Sequence, residues 1–243
     1  MFFTDLNTER GQLTRAELEA QYGPARVAFS QQDVSDSDQW RTVWSRAEEF
    51  FGGQVEALCN NAGIYESYQS TNTNIINVNL LGVTYGTNLA MEKMSAERGG
   101  RGGLIVQVSS IGGFVFIPAS PLYCAAKTGL VAYVRSHGVE AHTNTRVRMV
   151  ALCPMLTDTT LVRDAMNNHH GELRSMYGMR ALTTSEVAEG FQRAVVSGAP
   201  GSALLLHPGL SFYWPDTGLA MFNVYCWAAK LIIKVRTERF VVA

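Results

Sequence analysis

Short apolar runs recur along the chain and alternate with longer stretches in which apolar and polar positions follow helical spacing. The runs predict strands at 1–5 (MFFTD), 26–29 (RVAF), 55–59 (VEALC), 104–109 (LIVQVS), 147–153 (VRMVALC) and 203–206 (ALLL). The stretches between them predict helices around 13–22, 36–51, 73–97, 121–143, 159–168 and 184–197. Thr14 before Glu17, Ser35 before Asp38 and Thr184 before Val187 stand near their expected starts. Strand and helix in repeated alternation predict an α/β fold, a parallel sheet with helices on both faces, built as a single domain over 1–243.

Composition narrows this picture. A chain of 243 residues, 47% apolar and 17% charged, is long enough for one well-buried domain. Lys+Arg 20 against Asp+Glu 21 provides no general attraction for nucleic acid or an acidic membrane surface. Cys59, Cys124, Cys153 and Cys226 are far apart, and three lie in apolar runs, so they are read as packed, reduced thiols. With no basic and apolar leader before Asp5 and Glu9, a cytoplasmic protein is expected.

The chemistry concentrates in SSIGGFVFIPASPLYCAAK, residues 109–127. Tyr123 and Lys127 are four apart across CAA, so they share one helical face. An adjacent ammonium favours the phenolate, and Tyr123 is therefore read as a general base for an alcohol proton. Ser110 ends a buried strand just before Gly112 and Gly113, which places its hydroxyl at the carboxyl edge of the sheet. Upstream, CNNAG at 59–63 follows a strand, and NVNLLG at 77–82 sets Asn79 inside an apolar helix, where a buried amide needs partners.

In order and spacing, Asn60-Asn61-Ala62-Gly63, Asn79, Ser110, Tyr123 and Lys127 resemble the motif series of the short-chain dehydrogenase/reductase family, from residue 1 to about 215. LYCAAK, NVNLLGV and ALCP resemble most the 15-hydroxyprostaglandin dehydrogenase group of NAD-linked enzymes. The resemblance implies a Rossmann-like doubly wound sheet and hydride transfer between a secondary alcohol and NAD. It further implies Tyr123 as acid/base, Ser110 as the residue orienting the reacting oxygen, Lys127 on the nicotinamide ribose, and Asn79 supporting a proton-relay water.

Cofactor contacts carried over in the same way are Asp5 and Leu6 at the adenosine ribose, Asp33 and Val34 at the adenine edge, Asn61 on the adenosine side, and Thr157 and Thr159 after the strand MVALC. A carboxylate at Asp5 repels a 2'-phosphate and favours NAD over NADP, although Arg10 stands nearby. Met155 replaces the family's usual glycine after Pro154, and Ser120 stands where prostaglandin dehydrogenase has glutamine; Ser110, Ser120 and Tyr123 face the substrate.

The family begins with a further strand, a Thr-Gly-x-x-x-Gly-x-Gly turn and a helix, about 30 residues in all, and none of these is in the sequence. The expectation is an incomplete N-terminus, weakened NAD binding and a gap in the sheet. A non-catalytic relative that binds or dimerises is the alternative.

Other features are read conservatively. Met155, Leu156, Leu161, Met166, Met176, Tyr177 and Met179 suit the family's apolar substrate wall and lid, which implies a lipid-like or other apolar alcohol or ketone. His169 and His170 point different ways and are not taken as metal ligands, RGGRGG at 98–103 is read as a turn, and no metal is expected. The apolar extension 218–243 contains GLAMFNVYCWAAKLIIKV at 218–235, read first as packing onto the domain or a partner and second as weak membrane contact. A homodimer through the helices near 73–97 and 121–143 is the default assembly.

Overall fold

A computed structural model of the protein describes residues 1–65, 73–118, 120–168 and 180–214. The chain divides into two units, Met1–Tyr213 and Trp214–Ala243. The second, apart from Trp214, lies outside the described residues, as do His169, His170, Met176, Tyr177 and Met179.

The first unit runs β1 (Phe2–Asp5), α1 (Thr8–Tyr22), β2 (Ala28–Gln31), α2 (Ser37–Phe51), β3 (Ala57–Asn60), α3 (Asn74–Ile76) and α4 (Val83–Met94). It continues with β4 (Gly103–Val108), α5 (Pro121–Thr145), β5 (Val147–Pro154), α6 (Thr160–Asn168), α7 (Thr184–Ser197), β6 (Ala203–His207) and β7 (Leu210–Tyr213). A π-helical turn, Asn77–Gly82, joins α3 to α4.

The strands form two sheets. β3-β4-β5-β6-β7 is one, parallel up to β6, and β1-β2 is a separate parallel pair with Phe2 opposite Ala28 and Asp5 opposite Gln31. Among the described residues β1 pairs only with β2 and β3 only with β4, in keeping with the expected gap. β7, absent from the sequence reading, returns antiparallel to β6 across Pro208-Gly209, with Gly209 at φ 80°. Four residues of mixed polarity carry too little pattern to announce a strand.

The inner strands are apolar at nearly every position because both faces are covered, and their side chains alternate between two cores. Ile105, Met149, Ala151 and Leu205 pack on one face with Trp40, Trp44, Leu89 and Val134. Val106, Val150, Leu152, Leu204 and Leu206 pack on the other with Leu182 and Ala194. This double cover fails at β3, where Ala57 and Cys59 are exposed while Leu58 packs on the first core. Cys124 and Cys153 are buried as expected, but Cys59 is not.

The caps differ from the expected ones. Asn7, not Thr14, starts α1 by accepting from the Arg10 N–H at 2.9 Å, and the helix runs through Gly11, where a Cβ would lie 2.2 Å from the Phe29 ring. Its first turn lacks apolar spacing, so the sequence pattern missed it. Asp36 caps α2, and Thr183 with Glu186 forms a capping box on α7. RGGRGG is a turn into β4, with Gly99 and Gly102 at φ 86° and 83°.

Open strand edges leave backbone groups to water. In hydrogen exchange, alternate amides of β1 and β3 on their unpaired sides are expected to exchange at least about 100-fold faster than those of β4 and β5. Equal protection would show that the two edges are covered.

Candidate active site

Two reciprocal hydrogen bonds hold α5 against the end of β4. The Ser109 hydroxyl donates to the Lys127 carbonyl at 2.9 Å, and Lys127 Nζ donates to the Val108 carbonyl at 3.0 Å. Between them the chain makes a tight 3-10 turn, Ile111–Gly113, in which the Gly112 N–H donates to Ser110 Oγ at 3.1 Å. A Cβ on Gly113 would lie 2.9 Å from the Lys127 carbonyl, so only glycine lets the turn press onto α5. Tyr123 is thereby brought against the Ser110 turn at the carboxyl edge of the sheet, where a Cβ on Gly112 would come within 3.2 Å of its ring and the serine hydroxyl favours the phenolate.

Lys127 is 4% exposed and its ammonium lies 5.7 Å from the centre of the Tyr123 ring. Burial lowers its pKa to about 8 and raises that of Tyr123 to about 12, against the opposing effect of the Ser110 hydrogen bond. The expectation that the ammonium draws the tyrosine down is thus reversed in the protein alone. Desolvation dominates, and Nζ is committed to the Val108 carbonyl.

Asn79 is fully buried in the π-helical turn. Its Oδ1 accepts from the Ile64 N–H at 2.8 Å and its Nδ2 donates to the Ile64 carbonyl at 2.7 Å, clamping the loop after β3. A Cβ on Gly63 would come within 3.2 Å of Asn79 Oδ1 and 3.6 Å of Lys127 Nζ, so the space beside the lysine is open because residue 63 is glycine. Asn60, one residue before the exposed Asn61, instead enters the core and donates to Gln107 Oε1 at 3.0 Å and Thr87 Oγ1 at 3.2 Å.

Of the remaining expected residues, Asp5 and Leu6 are exposed after β1, and Asp5 Oδ1 accepts from the Asn7 N–H at 2.7 Å. Asp33 and Val34 follow β2, linked to β1 by a bond from the Gln32 N–H to the Asp5 carbonyl at 3.1 Å. Asp33 Oδ1 accepts from Ser35, while the Val34 carbonyl accepts from Trp40 Nε1 at 2.9 Å. Thr157 bridges to Leu182, and Thr159 Oγ1 accepts from the Val162 N–H at the start of α6. Met155 packs in the second core with Leu182 and Leu206.

Ser120 is 2% exposed and its hydroxyl donates to Tyr65 OH. Tyr65, whose ring is 5.1 Å from that of Tyr123, was not singled out in the sequence. Nor was Gln107, although a glutamine inside LIVQVS is a readable signal of a buried polar partner.

A serine, a tyrosine and a lysine converging at the carboxyl edge of an open α/β sheet define an enzyme-like site of the Rossmann class. The short chain dehydrogenase family model matches residues 1–170, and the chain belongs to that family. It is 35% identical over 160 residues to bovine 15-hydroxyprostaglandin dehydrogenase [NAD(+)], 65% of this chain and 59% of that protein. It is 39% identical over 111 residues to alcohol dehydrogenase 1 of Ceratitis capitata, 44% of this chain and 41% of that one. The matched segment thus spans about three-fifths of the bovine enzyme's length.

Levodione reductase shares the fold at TM-score 0.75 and 24% identity, covering 86% of each chain. A Burkholderia phymatum short-chain dehydrogenase in complex with NAD does so at 0.70 and 21%, covering 86% of this chain and 80% of that one. ElxO with NADP bound gives 0.71 and 25%, covering 86% and 87%. Among the described residues no helix is long and apolar enough to cross a membrane, and no group of acidic, histidine and cysteine side chains is suited to hold a metal.

Asn79→Ala strands the N–H and carbonyl of Ile64, and urea unfolding is expected to show a loss of about 2–4 kcal/mol. Asn61→Ala, on the surface, is expected to stay within about 0.5 kcal/mol.

A lysine whose folded pKa lies below its unfolded value destabilises the protein most at low pH, and the penalty fades as pH rises from about 8 toward 10.5. Lys127→Met should therefore be more stable than wild type at pH 7, by a margin that shrinks by about 2 kcal/mol by pH 10. Comparing the two proteins isolates the lysine from Tyr123 and Cys153, whose raised pKa values act with the opposite sign. A margin independent of pH would show that the amine is charged alike in both states.

Proposed function

We propose that the protein is an NAD-dependent oxidoreductase interconverting an apolar secondary alcohol and its ketone. The observation that carries this reading is the packing of the Tyr123 ring against the Ser110 turn at the sheet edge, 5.7 Å from the ammonium of a buried Lys127. The 15-hydroxyprostaglandin dehydrogenase and alcohol dehydrogenase relatives support the same reaction class.

The residues fit the cofactor at its two ends. Lys127 Nζ makes one hydrogen bond among the described residues, to Val108, which leaves two ammonium donors for ribose hydroxyls in the space that Gly63 keeps open. Asp5 Oδ1 is engaged by the Asn7 N–H, while Oδ2 is available to the adenosine ribose. The fold occurs with NAD in one neighbour and NADP in another, so the choice of NAD rests on the Asp5 carboxylate. Residues 1–243 contain no Gly-x-x-x-Gly-x-Gly run for the pyrophosphate.

When bound, NAD supplies the two-electron acceptor for the carbinol hydride. Ser110 Oγ holds the reacting oxygen, Tyr123 Oη takes the hydroxyl proton as the carbonyl forms, and Lys127 stabilises the resulting phenolate. In the reverse direction Tyr123 returns the proton. Val115 and Phe116, 39% and 82% exposed just beyond the Ser110 turn, favour an apolar substrate.

The divided sheet favours a second reading, a relative that binds substrate-like molecules or dimerises without turnover. Titration with NAD and NADP, followed by oxidation assays on a panel of secondary alcohols including a hydroxyprostaglandin, separates the two. The catalytic reading expects NAD-dependent oxidation and a fall of about 1,000-fold in kcat/KM for Tyr123→Phe. Turnover that survives Tyr123→Phe would sink it, and NAD-free binding of the alcohols would favour the second.

A further inference from the structure

Tyr65 is held at two points. Its backbone follows Ile64, which Asn79 clamps through both main-chain groups at 2.8 and 2.7 Å. Its hydroxyl accepts a hydrogen bond from Ser120, the residue at the N-cap of α5. Serine at that position usually caps the helix with its own oxygen, but the Ser120 side chain makes no cap bond here. The ring fixed in this way stands edge to face on Tyr123, with centroids 5.1 Å apart and planes 64° apart.

From this arrangement we propose that Tyr65 is a positioning residue for the reaction, setting the orientation of the Tyr123 ring and covering it from water. The proposal rests on the acid/base reading of Tyr123. Three separate elements meet in the contact: the loop after β3, the N-terminus of α5 and the π-helical turn that carries Asn79. Tyr123 also meets Gly112, where a Cβ would lie 3.2 Å from the ring, so the phenol packs on both the Ser110 turn and Tyr65. A ring held by two contacts keeps its oxygen aimed, and small departures from such an aim are costly to rate. Burial is the largest cause of the raised Tyr123 pKa, which agrees with a covered phenol, and charge interaction with Tyr65 raises it separately.

The test compares Tyr65→Phe, which keeps the ring edge and loses the Ser120 bond, with Tyr65→Leu, which keeps apolar bulk and loses the ring. Circular dichroism checks that both fold. Tyr65→Leu is expected to lower kcat about 10- to 100-fold, with KM for the alcohol within about twofold, and Tyr65→Phe to restore most of the rate. Independently of turnover, Tyr123 is followed by NMR of tyrosine labelled with carbon-13 at Cζ. Its titration should move to lower pH in Tyr65→Leu as water reaches the phenol, and stay near wild type in Tyr65→Phe.

Should the wild-type protein oxidise no alcohol, the titration alone decides the positioning claim while the functional reading fails. An unchanged Tyr123 titration in Tyr65→Leu overturns the proposal, as does a kcat equal to wild type or an effect confined to KM.

Discussion

The site depends on an amine held out of water. Lys127 is almost wholly buried, and the bond from its ammonium to the Val108 carbonyl is matched by one from Ser109 to the lysine's own carbonyl. Burying a charge is costly, and here the Val108 carbonyl meets one of the ammonium's donors. This pair of bonds locks a helix to the end of a strand at one register, and Tyr123, one turn before the lysine, is carried to the edge where Ser110 emerges. A slip of α5 along β4 would cost both bonds and expose an unpartnered ammonium to the core. The depressed pKa of the lysine reflects the same burial that fixes its place.

Polar groups inside the fold extend this principle. Asn79 spends both ends of its amide on Ile64, and Asn60 joins Gln107 and Thr87 in a network across β3, β4 and α4. Each ties a loop at the sheet edge to a helix behind it. Glycine makes the complementary contribution where backbone must approach backbone, as at Gly82, where a Cβ would stand 2.7 Å from the Val34 carbonyl. The loops around Tyr123 are thus positioned by buried hydrogen bonds and close contacts rather than by their own sequence preferences.

That distinction explains what could be read from the sequence. The inner strands and long helices were legible because burial on two faces, or on one helical stripe, writes itself into residue periodicity. Tyr123 and Lys127 were legible because four-residue spacing on a helix is itself a statement about geometry. The first turn of α1 was not, since Thr8, Glu9 and Arg10 have no apolar spacing and the decisive contact is Gly11 on Phe29. Tyr65 was hidden for a similar reason: it lies in a loop, and its partners Ser120 and Tyr123 are more than fifty residues away. The direction of the Tyr123 pKa was also illegible, because sequence shows that a lysine is near but not how much water is missing.

The two sheets divide the residues of the proposed acid/base group from those of the proposed nucleotide end. Ser110, Tyr123, Lys127 and Asn79 are supported by β3, β4, α4 and α5, whose packing and hydrogen bonds do not use β1 or β2 for a ladder. Asp5 and Asp33 stand at the ends of the separate pair β1-β2. A dinucleotide reaching from the lysine to Asp5 would span two sheets that share no strand pairing and meet through side-chain packing, as where Phe2 and Val34 join the core of β4 and β5. Part of its binding energy would then appear as stabilisation of the protein rather than as occupancy.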